Sequence, residues 1–151
     1  GREAGASLPH PPGQLLGLPF VPGEVLDEER AFARFAGGCL LCTTVEAELA
    51  ADERVLFAND DVAVVCPYWS GAPYELLIVP RHHVTSIQTM TEADVAAIGR
   101  CLLVARLLGE RAGYGERGYR VVVNCGRDGG QSVDHLHFHL LGGRQLTWPP
   151  G

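Results

Sequence analysis

Three histidines stand at alternate positions near the carboxyl end of the chain, within the stretch GGQSVDHLHFHLL (129–141). Apolar residues occupy the positions between them and after them. Because successive side chains of a β-strand point to opposite faces, this stretch predicts a strand with an apolar core face. His135, His137 and His139 then project together from the other face. The pattern therefore indicates a half-buried strand that carries a cluster of imidazoles.

A phosphate-binding site is one interpretation of this cluster, and the wet face of an amphipathic strand is the simpler one. Neighbouring imidazoles oppose one another's protonation, and the neutral ring is the form that acts as a nucleophile or a metal ligand. The preceding loop, CGRDGGQS (125–132), contains three glycines that allow backbone N–H groups to converge on an anion. Ser132 adds a hydroxyl. Together these features predict a phosphate held against an imidazole.

The rest of the chain predicts one globular α+β domain. Its 151 residues, 46% of them hydrophobic, suffice for a single buried core. Strand-like segments are predicted at 54–57, 62–66, 75–80, 119–124 and 135–141. We therefore expect a five-stranded, mainly antiparallel sheet with one long helix and one or two short helices.

The long helix is predicted to begin at Thr91 and to end at Gly113, with Glu92 and Asp94 as acidic residues in its first turn. Its expected apolar stripe consists of Val95, Ile98, Leu102, Ala105 and Leu108. Short helices are predicted over 27–35 and around the two cysteines that follow Gly38.

The amino-terminal part differs from the rest in composition. Residues 1–36 are rich in proline and glycine over their first two thirds and are predicted to be an extended or partly disordered arm, with the domain at 37–151. The net charge of −6 argues against binding to nucleic acid or to anionic membranes. There is no apolar run of about 18 residues, so no membrane span is expected. A cytoplasmic location is the resulting expectation.

The segment GGQSVDHLHFHLLGGRQLTWPPG (129–151) resembles the carboxyl-terminal end of the histidine triad (HIT) superfamily, and most of all its Hint branch. The resemblance lies in H-x-H-x-H-x-x with apolar x, in the preceding GGQS and in the closing WPPG. It extends more weakly back to about Cys39. It implies the HIT fold and a hydrolase that acts at the α-phosphate of a nucleoside phosphoramidate or a related nucleotide conjugate.

The resemblance also implies a role for each residue of the motif. His137 would attack the α-phosphorus and form a nucleotidyl-histidine intermediate, and His139 would hold phosphate or leaving-group oxygens. Ser132 would bind the phosphate and assist departure of the leaving group. Further contacts to the substrate are implied for Asn124, Gly130, Gln131 and Val133.

Cys39 and Cys42 form a C-x-x-C motif, which indicates a metal site, a redox pair or a coincidence. The motif resembles that of some HIT branches and of galactose-1-phosphate uridylyltransferases. This resemblance implies a structural zinc held by Cys39, Cys42, His83 and His135, in the closed tetrahedral coordination of such sites. His82 is the neighbouring alternative to His83.

Two positions depart from the Hint pattern. Pro67 stands where Hint proteins usually have an aspartate that holds the ribose hydroxyls, and Glu75 stands at a position that is usually histidine. The segment 67–84 instead resembles the uridylyltransferases. Three aromatic residues there could stack on a base or pack against the core: Tyr68, Trp69 and Tyr74. The sequence therefore leaves the base preference open.

The closing segment WPPG is expected either to reach a partner chain or to be a disordered tail. In Hint homodimers the residue that matches Trp148 reaches the partner's active site, so the resemblance implies a homodimer whose tails complete the substrate pockets. Alternatives to the hydrolase are a uridylyltransferase-like nucleotidyltransferase and a non-catalytic nucleotide-binding or scaffold module.

Overall fold

The computed structural model describes residues 23–70 and 75–147. Within these ranges the chain forms an α+β domain. Its helices are α1 (Gly23–Ala33), α2 (Leu40–Ala51) and α3 (Val95–Arg111). Its strands are β1 (Val55–Ala58), β2 (Val62–Val65), β3 (Leu76–Pro80), β4 (Arg120–Val122) and β5 (Phe138–Leu141). None of the described helices has the length and apolar character needed to cross a membrane.

The five strands form one sheet in the order β1-β2-β3-β5-β4, and every neighbouring pair is antiparallel. The tight turn between β1 and β2 is closed by Asn59, whose side-chain oxygen accepts the backbone N–H groups of Asp61 (3.0 Å) and Val62 (2.8 Å). This use of an asparagine side chain is typical of turns. The predicted five-stranded antiparallel sheet with one long helix is confirmed.

The sheet is covered on both faces, which explains why strands β2 and β3 are apolar throughout. The core on one face contains side chains of α3 and of strands β2, β3 and β5: Val62, Val64, Ile78, Cys101, Val104, Ala105, Phe138 and Leu140. The core on the opposite face contains side chains of α2, β2 and β3 and one loop residue: Leu41, Val45, Ala63, Val65, Leu77, Val79 and Val133. Alternation along β5 places His139 on the face opposite α3.

The last strand is shorter than the sequence predicts, because it begins at Phe138 and not at His135. The backbone N–H of His135 donates to Val133 (2.8 Å) and that of Leu136 to Val84 (2.6 Å). Both donors are therefore taken by loop carbonyls before the strand starts. Strand β3 pairs with β5 only as far as Ile78, opposite Phe138. Of the three histidines, only His139 lies within the sheet.

A turn of 3-10 helix leads into α3, and its capping confirms part of the sequence prediction. The Asp94 carboxylate accepts the backbone N–H of Thr91 (2.8 Å) and its hydroxyl (2.9 Å). The hydrogen bond from the Thr91 backbone is the main reason why the pKa of Asp94 is lowered. The turn spans residues 92–94, so α3 proper starts at Val95.

The buried face of α3 differs from the predicted stripe. Val95 and Leu102, which were expected to be buried, are each about half exposed. The predicted members Ile98, Ala105 and Leu108 do pack against the sheet, and they are joined there by Cys101 and Val104. Apolar character alone could not show that Val95 and Leu102 lie outside the buried face, because the packing of the helix on the sheet determines which side chains are covered.

Two glycines of α3 provide a test of this packing. A Cβ added at Gly109 would overlap the ring of Tyr119, whereas a Cβ at Gly99 would meet nothing within 4 Å. We expect Gly109→Ala to lower the free energy of unfolding by about 1–3 kcal/mol through overpacking. Gly99→Ala is the matched control and should raise it by up to about 1 kcal/mol through helix propensity. Urea unfolding of both variants measures the difference, and equal effects would contradict the packing.

The amino-terminal helix lies within the segment predicted to be an arm. It runs over Gly23–Ala33, so it starts before the predicted 27 and ends before the predicted 35. Phe32 packs edge-on against Trp69, with ring centroids 6.5 Å apart, and it also contacts the core on the α2 face. The division of the chain into an arm at 1–36 and a domain at 37–151 stays a prediction.

Candidate active site and metal centre

The three histidines of the motif do not form one row but divide between two neighbouring clusters. The His135 ring packs edge-on against His83, with centroids 4.9 Å apart. The His137 ring packs in the same way against His139, also at 4.9 Å. This division follows from the start of β5 at Phe138, because the chain turns between the first histidine and the strand.

His135 is buried, and its two ring nitrogens have different partners. Its Nε2 lies 2.9 Å from the carbonyl oxygen of Pro80, which can only accept a hydrogen bond. Nε2 therefore carries the proton, and Nδ1 is left as an electron-pair donor. Burial is the main reason why the pKa of His135 is lowered to about 4, and the neighbouring imidazoles contribute in the same direction. The ring is neutral at pH 7, as metal coordination requires.

Four ligand atoms surround one point beside this ring. The His135 Nδ1 lies 3.5 Å from the Cys39 Sγ and 3.2 Å from the Cys42 Sγ, and the Cys42 Sγ lies 3.4 Å from the His83 Nδ1. All four ligand atoms lie within 4.8 Å of one another. Sulfur and nitrogen ligands of one tetrahedral zinc are separated by roughly 3.5 Å, given Zn–S and Zn–N bonds of about 2.3 and 2.0 Å. The cluster could therefore hold a metal ion.

The local fold explains how the two cysteines are presented. Cys39 caps the start of α2, where its Sγ accepts the backbone N–H of Cys42 at 3.4 Å. Burial, followed by the hydrogen bond with Cys39, raises the pKa of the Cys42 thiol to about 11. Two thiols held this close cannot both ionise readily without a cation between them. The chemistry of this donor set thus fits a metal better than a pair of free thiols.

The structure distinguishes the two adjacent histidines that the sequence offered as ligands. His83 joins the cysteine cluster, whereas His82 is largely exposed and its Nε2 lies 3.1 Å from an Asp94 carboxylate oxygen. His82 therefore lies outside the metal cluster. The sequence alone could not orient these two side chains, because the chain has already left β3 at Pro80.

His137 is held in one tautomer by the backbone of the same motif. Its Nδ1 lies 2.7 Å from the carbonyl oxygen of His135, and a carbonyl can only accept. The neutral ring therefore carries its proton on Nδ1 and its lone pair on Nε2. His137 is also buried, with 8% of its surface exposed, so its ring can adopt few other orientations. The arrangement suits a nucleophilic imidazole.

His139 is paired with an acid from the start of the neighbouring strand. Its Nδ1 lies 2.6 Å from a carboxylate oxygen of Glu75, and the other carboxylate oxygen accepts the Ser70 hydroxyl at 2.9 Å. Sequence reasoning noted Glu75 only as a departure from a family pattern. The acidic residue just before an apolar strand was a visible signal, but its partner depends on the register of β3 and β5.

The glycine-rich loop has the backbone conformation that its glycines allow. Gly126 and Gly130 both have positive φ angles, 69° and 72°, and flank the 3-10 turn of Arg127–Gly129. A residue with a Cβ would be strained at either position. The side chain of Asn124 donates to the carbonyl of Gly130 at 3.3 Å. Asn124, expected to contact substrate, thus also supports the loop.

Gln131 fastens the loop to the rest of the domain. Its side-chain oxygen accepts the backbone N–H of Gly126 (2.9 Å), and its side-chain nitrogen donates to the carbonyls of Thr85 (2.7 Å) and Val133 (2.9 Å). These bonds occupy the side-chain amide, and the backbone N–H of Gln131 donates to the carbonyl of Gly126 (3.0 Å), so Gln131, expected to contact substrate, instead holds the loop together. The side chain of Val133 is buried in the core on the α2 face, and Ser132 lies between them, half-buried.

The remaining predicted contacts are only partly visible. Trp148 and Tyr74 lie outside the described residues. Pro67 is buried and offers no side-chain polar group to a ribose, whereas Tyr68 is exposed, with the Arg54 guanidinium 5.9 Å from its ring centroid. Trp69 packs against Phe32.

Comparison with known proteins gives a consistent family. The sequence model of the HIT domain family matches residues 48–146. The chain is 36% identical over 114 residues to an uncharacterized HIT-like protein of Synechococcus elongatus. The aligned region covers 76% of this chain and 94% of that protein. Among solved structures, a HIT family hydrolase from Legionella pneumophila Philadelphia 1 is 37% identical with a TM-score of 0.68, covering 76% of this chain and all of that one. A HIT family hydrolase from Clostridium thermocellum is 29% identical with a TM-score of 0.64, covering 78% and 98%.

Proposed function

This chain belongs to the HIT domain family, and we propose that it hydrolyses nucleoside phosphoramidates or related nucleotide conjugates at the α-phosphate through a covalent intermediate on His137. The observation that carries the proposal is the 2.7 Å contact between the His137 Nδ1 and the His135 carbonyl, which puts the nucleophilic lone pair on Nε2. Two structural relatives are HIT family hydrolases, which supports a hydrolytic reaction.

In the first half of the proposed reaction, the Nε2 lone pair of His137 forms a bond to the α-phosphorus. The bond from phosphorus to the leaving atom breaks, and its electron pair goes to that atom. The backbone of Ser132 and Val133 would contact the phosphate oxygens, because the N–H groups of the preceding glycines and of Gln131 donate within the loop. His139 and Ser132 would face the leaving group. Positioning and charge stabilisation of this kind are the main requirements of phosphoryl transfer.

In the second half, water attacks the same phosphorus and the P–Nε2 bond breaks. The electron pair of that bond returns to the imidazole, so His137 is regenerated as a neutral ring. Overall, water supplies the oxygen that stays on the nucleoside monophosphate and, through solvent, the proton taken by the leaving amine or alcohol. Splitting one displacement into two steps is the advantage of nucleophilic catalysis.

We also propose that Cys39, Cys42, His83 and His135 hold a structural zinc. When bound, zinc supplies a cross-link between these residues and no reactive water, because protein ligands fill all four positions of its tetrahedron. His135 then has two tasks: its side chain binds the metal, and its carbonyl holds the Nδ1 proton of His137. The metal would thus orient the residue that positions the nucleophile.

The quaternary structure and location that we propose are a homodimer, with Trp148 near the partner's site, in the cytoplasm. Apolar side chains of α3, including Leu102 and Leu103, are about half exposed, and a second copy would cover them. Light scattering of the purified chain tests the dimer, and a monomer at micromolar concentration would exclude it.

The experiment that tests the activity is intact-protein mass spectrometry during reaction with a panel of nucleotide conjugates. The panel contains adenosine, guanosine and uridine phosphoramidates and a dinucleoside polyphosphate. We expect a mass increase equal to one nucleotidyl group, released as the monophosphate, and the size of the increase identifies the base. If calorimetry showed that a nucleotide binds but no adduct or turnover were detected, the protein would be a nucleotide-binding module and not an enzyme. Transfer of the nucleotidyl group to a sugar phosphate faster than to water would replace the hydrolase by a transferase.

A further inference from the structure

We propose that Glu75 is a positioning residue that fixes the tautomer and orientation of His139, so that the Nε2 of His139 faces the leaving group. The inference rests on the proposed function for the identity of that leaving group. The contact between Glu75 and His139 is independent of the function. It is therefore open to a measurement that needs no substrate.

The geometry allows one arrangement of protons. A carboxylate accepts hydrogen bonds and cannot donate them, so the 2.6 Å contact requires the proton on the Nδ1 of His139. The other ring nitrogen, Nε2, is then the polar atom that faces a ligand. It gives a proton to a leaving amine only when the ring carries both protons, with the Glu75 carboxylate as its counter-ion. Carboxylates that hold a functional histidine in this way fix both its tautomer and its ring orientation.

The acid itself is held in place by its surroundings. The Glu75 side chain is only 14% exposed and that of His139 only 23%, so water competes weakly for their hydrogen bond. The second carboxylate oxygen accepts the Ser70 hydroxyl at 2.9 Å. A carboxylate with partners on both oxygens has little freedom to rotate away from the imidazole.

The pairing of strands brings the two residues together. Leu77 of β3 lies opposite His139 of β5, and Glu75 stands two residues before Leu77. Side chains two apart on extended backbone share a face, so Glu75 lies diagonally across from His139 on the face opposite α3. The contact is a product of the sheet register and not of flexible surface chains.

The Glu75 carboxylate lies close to the proposed phosphate site, where a negative charge is unfavourable, so its presence there needs an explanation. Its negative charge opposes the binding of an anionic nucleotide unless a cationic or proton-donating group stands between them. His139 stands in that position, with its ring next to His137. The contrasting pair is His82 with Asp94, where the histidine side chain is 68% exposed and the acid caps a helix, so that pair needs no active-site role.

The first test is nitrogen-15 NMR of the histidine side chains in the full chain, without substrate. We expect the His139 ring of the wild type to carry its proton on Nδ1 with a downfield resonance, and we expect Glu75→Ala to abolish that resonance. In Glu75→Gln the amide oxygen can still accept, so the tautomer should be retained. Glu110→Gln removes an exposed acid of α3 and should leave the signal unchanged. A wild-type His139 with a proton on Nε2 and none on Nδ1, or a resonance unaffected by Glu75→Ala, would overturn the proposal.

The second test compares two substrates that share a nucleotide and differ in the leaving group. One is an alkylamine, which departs only with assistance, and the other is a nitrophenol, which departs unaided. For Glu75→Ala we expect kcat/KM to fall about 10- to 100-fold on the amine, the range found when partners of functional histidines are lost. On the nitrophenol the loss should stay below about threefold, and Glu75→Gln should recover part of the activity on the amine. Equal losses on both substrates would indicate a merely structural role and would overturn the proposal.

The outcomes separate this inference from the proposed function. If the wild type turned over neither substrate, the proposed function would fail, and the NMR result would still decide whether Glu75 fixes His139. If the wild type were active but Glu75→Ala left both the tautomer and the leaving-group preference intact, the inference would fail and the proposed function would stand.

Discussion

Replacement of His137 by alanine is expected to lower kcat/KM for a nucleoside phosphoramidate by at least about 10⁴-fold, equivalent to roughly 5 kcal/mol of transition-state stabilisation. The nucleophile is lost, and no second imidazole can take its place, because Glu75 fixes His139 and His135 is turned towards the cysteines. The adduct in the intact-protein spectrum should disappear with the activity. Steady-state kinetics and the mass spectrum measure both effects.

Because His137 is buried, a second variant is needed to separate catalysis from packing. His137→Gln keeps most of the volume and should be as inactive as the alanine variant while unfolding at nearly the wild-type temperature. His82→Gln is the matched control, because it removes an exposed histidine outside both clusters and should retain activity within about twofold. Retention of turnover and adduct in both His137 variants would rule out the nucleophile.

The fold was predictable because its signals are local. Short apolar runs bounded by turn residues identified most of the strands, and alternation identified the last one. The acidic residue three positions after Thr91 identified the helix start that the Asp94 hydrogen bonds bear out. The errors concern residues whose burial depends on the packing of one element against another. Leu102 looks like a core residue by character and spacing, but the sheet beneath α3 leaves it half exposed.

The division of the triad could not be predicted from the alternation of its residues. A period of two predicts one row of imidazoles only if the whole motif is strand. The backbone donors of His135 and Leu136 instead bond to Val133 and Val84, and the second of these partners is 52 residues away in the chain. The different surroundings of His135 and His137 arise from this non-local pairing.

In the candidate metal cluster, the spacing motif predicts only part of the ligand set. C-x-x-C identified two candidate ligands from the sequence, because one helical turn brings positions 39 and 42 together. His83 and His135 are separated from Cys42 by 41 and 93 residues, and their approach is a property of the fold. Glu75 is the same kind of case, since its acid was visible and its partner was not.

Removal of the metal is expected to destabilise the domain, because the four proposed ligands join the start of α2, the end of β3 and the loop before β5. A loss of about 4 kcal/mol corresponds to a fall in Tm of roughly 10 °C for a chain of this size. Differential scanning fluorimetry with and without a chelator measures the shift. Activity should fall with stability, because the backbone of His135 holds the Nδ1 proton of His137.

Two cysteine variants make this prediction specific. Cys42→Ala should have a low Tm that no longer responds to chelator, whereas Cys66→Ala, which removes a cysteine outside the cluster, should respond as the wild type does.

A lower pH should have the same effect as the chelator. The pKa of the Cys42 thiol is raised, so metal binding must displace its proton. The affinity for the metal should therefore weaken about tenfold for each pH unit of acidification and each displaced proton. His135 adds nothing to this slope near neutral pH, because its pKa is lowered to about 4 and its ring is already neutral there. A Tm that is unaffected by chelator, in a protein whose native mass spectrum shows no bound metal, would mean that hydrogen bonds alone hold the four residues together.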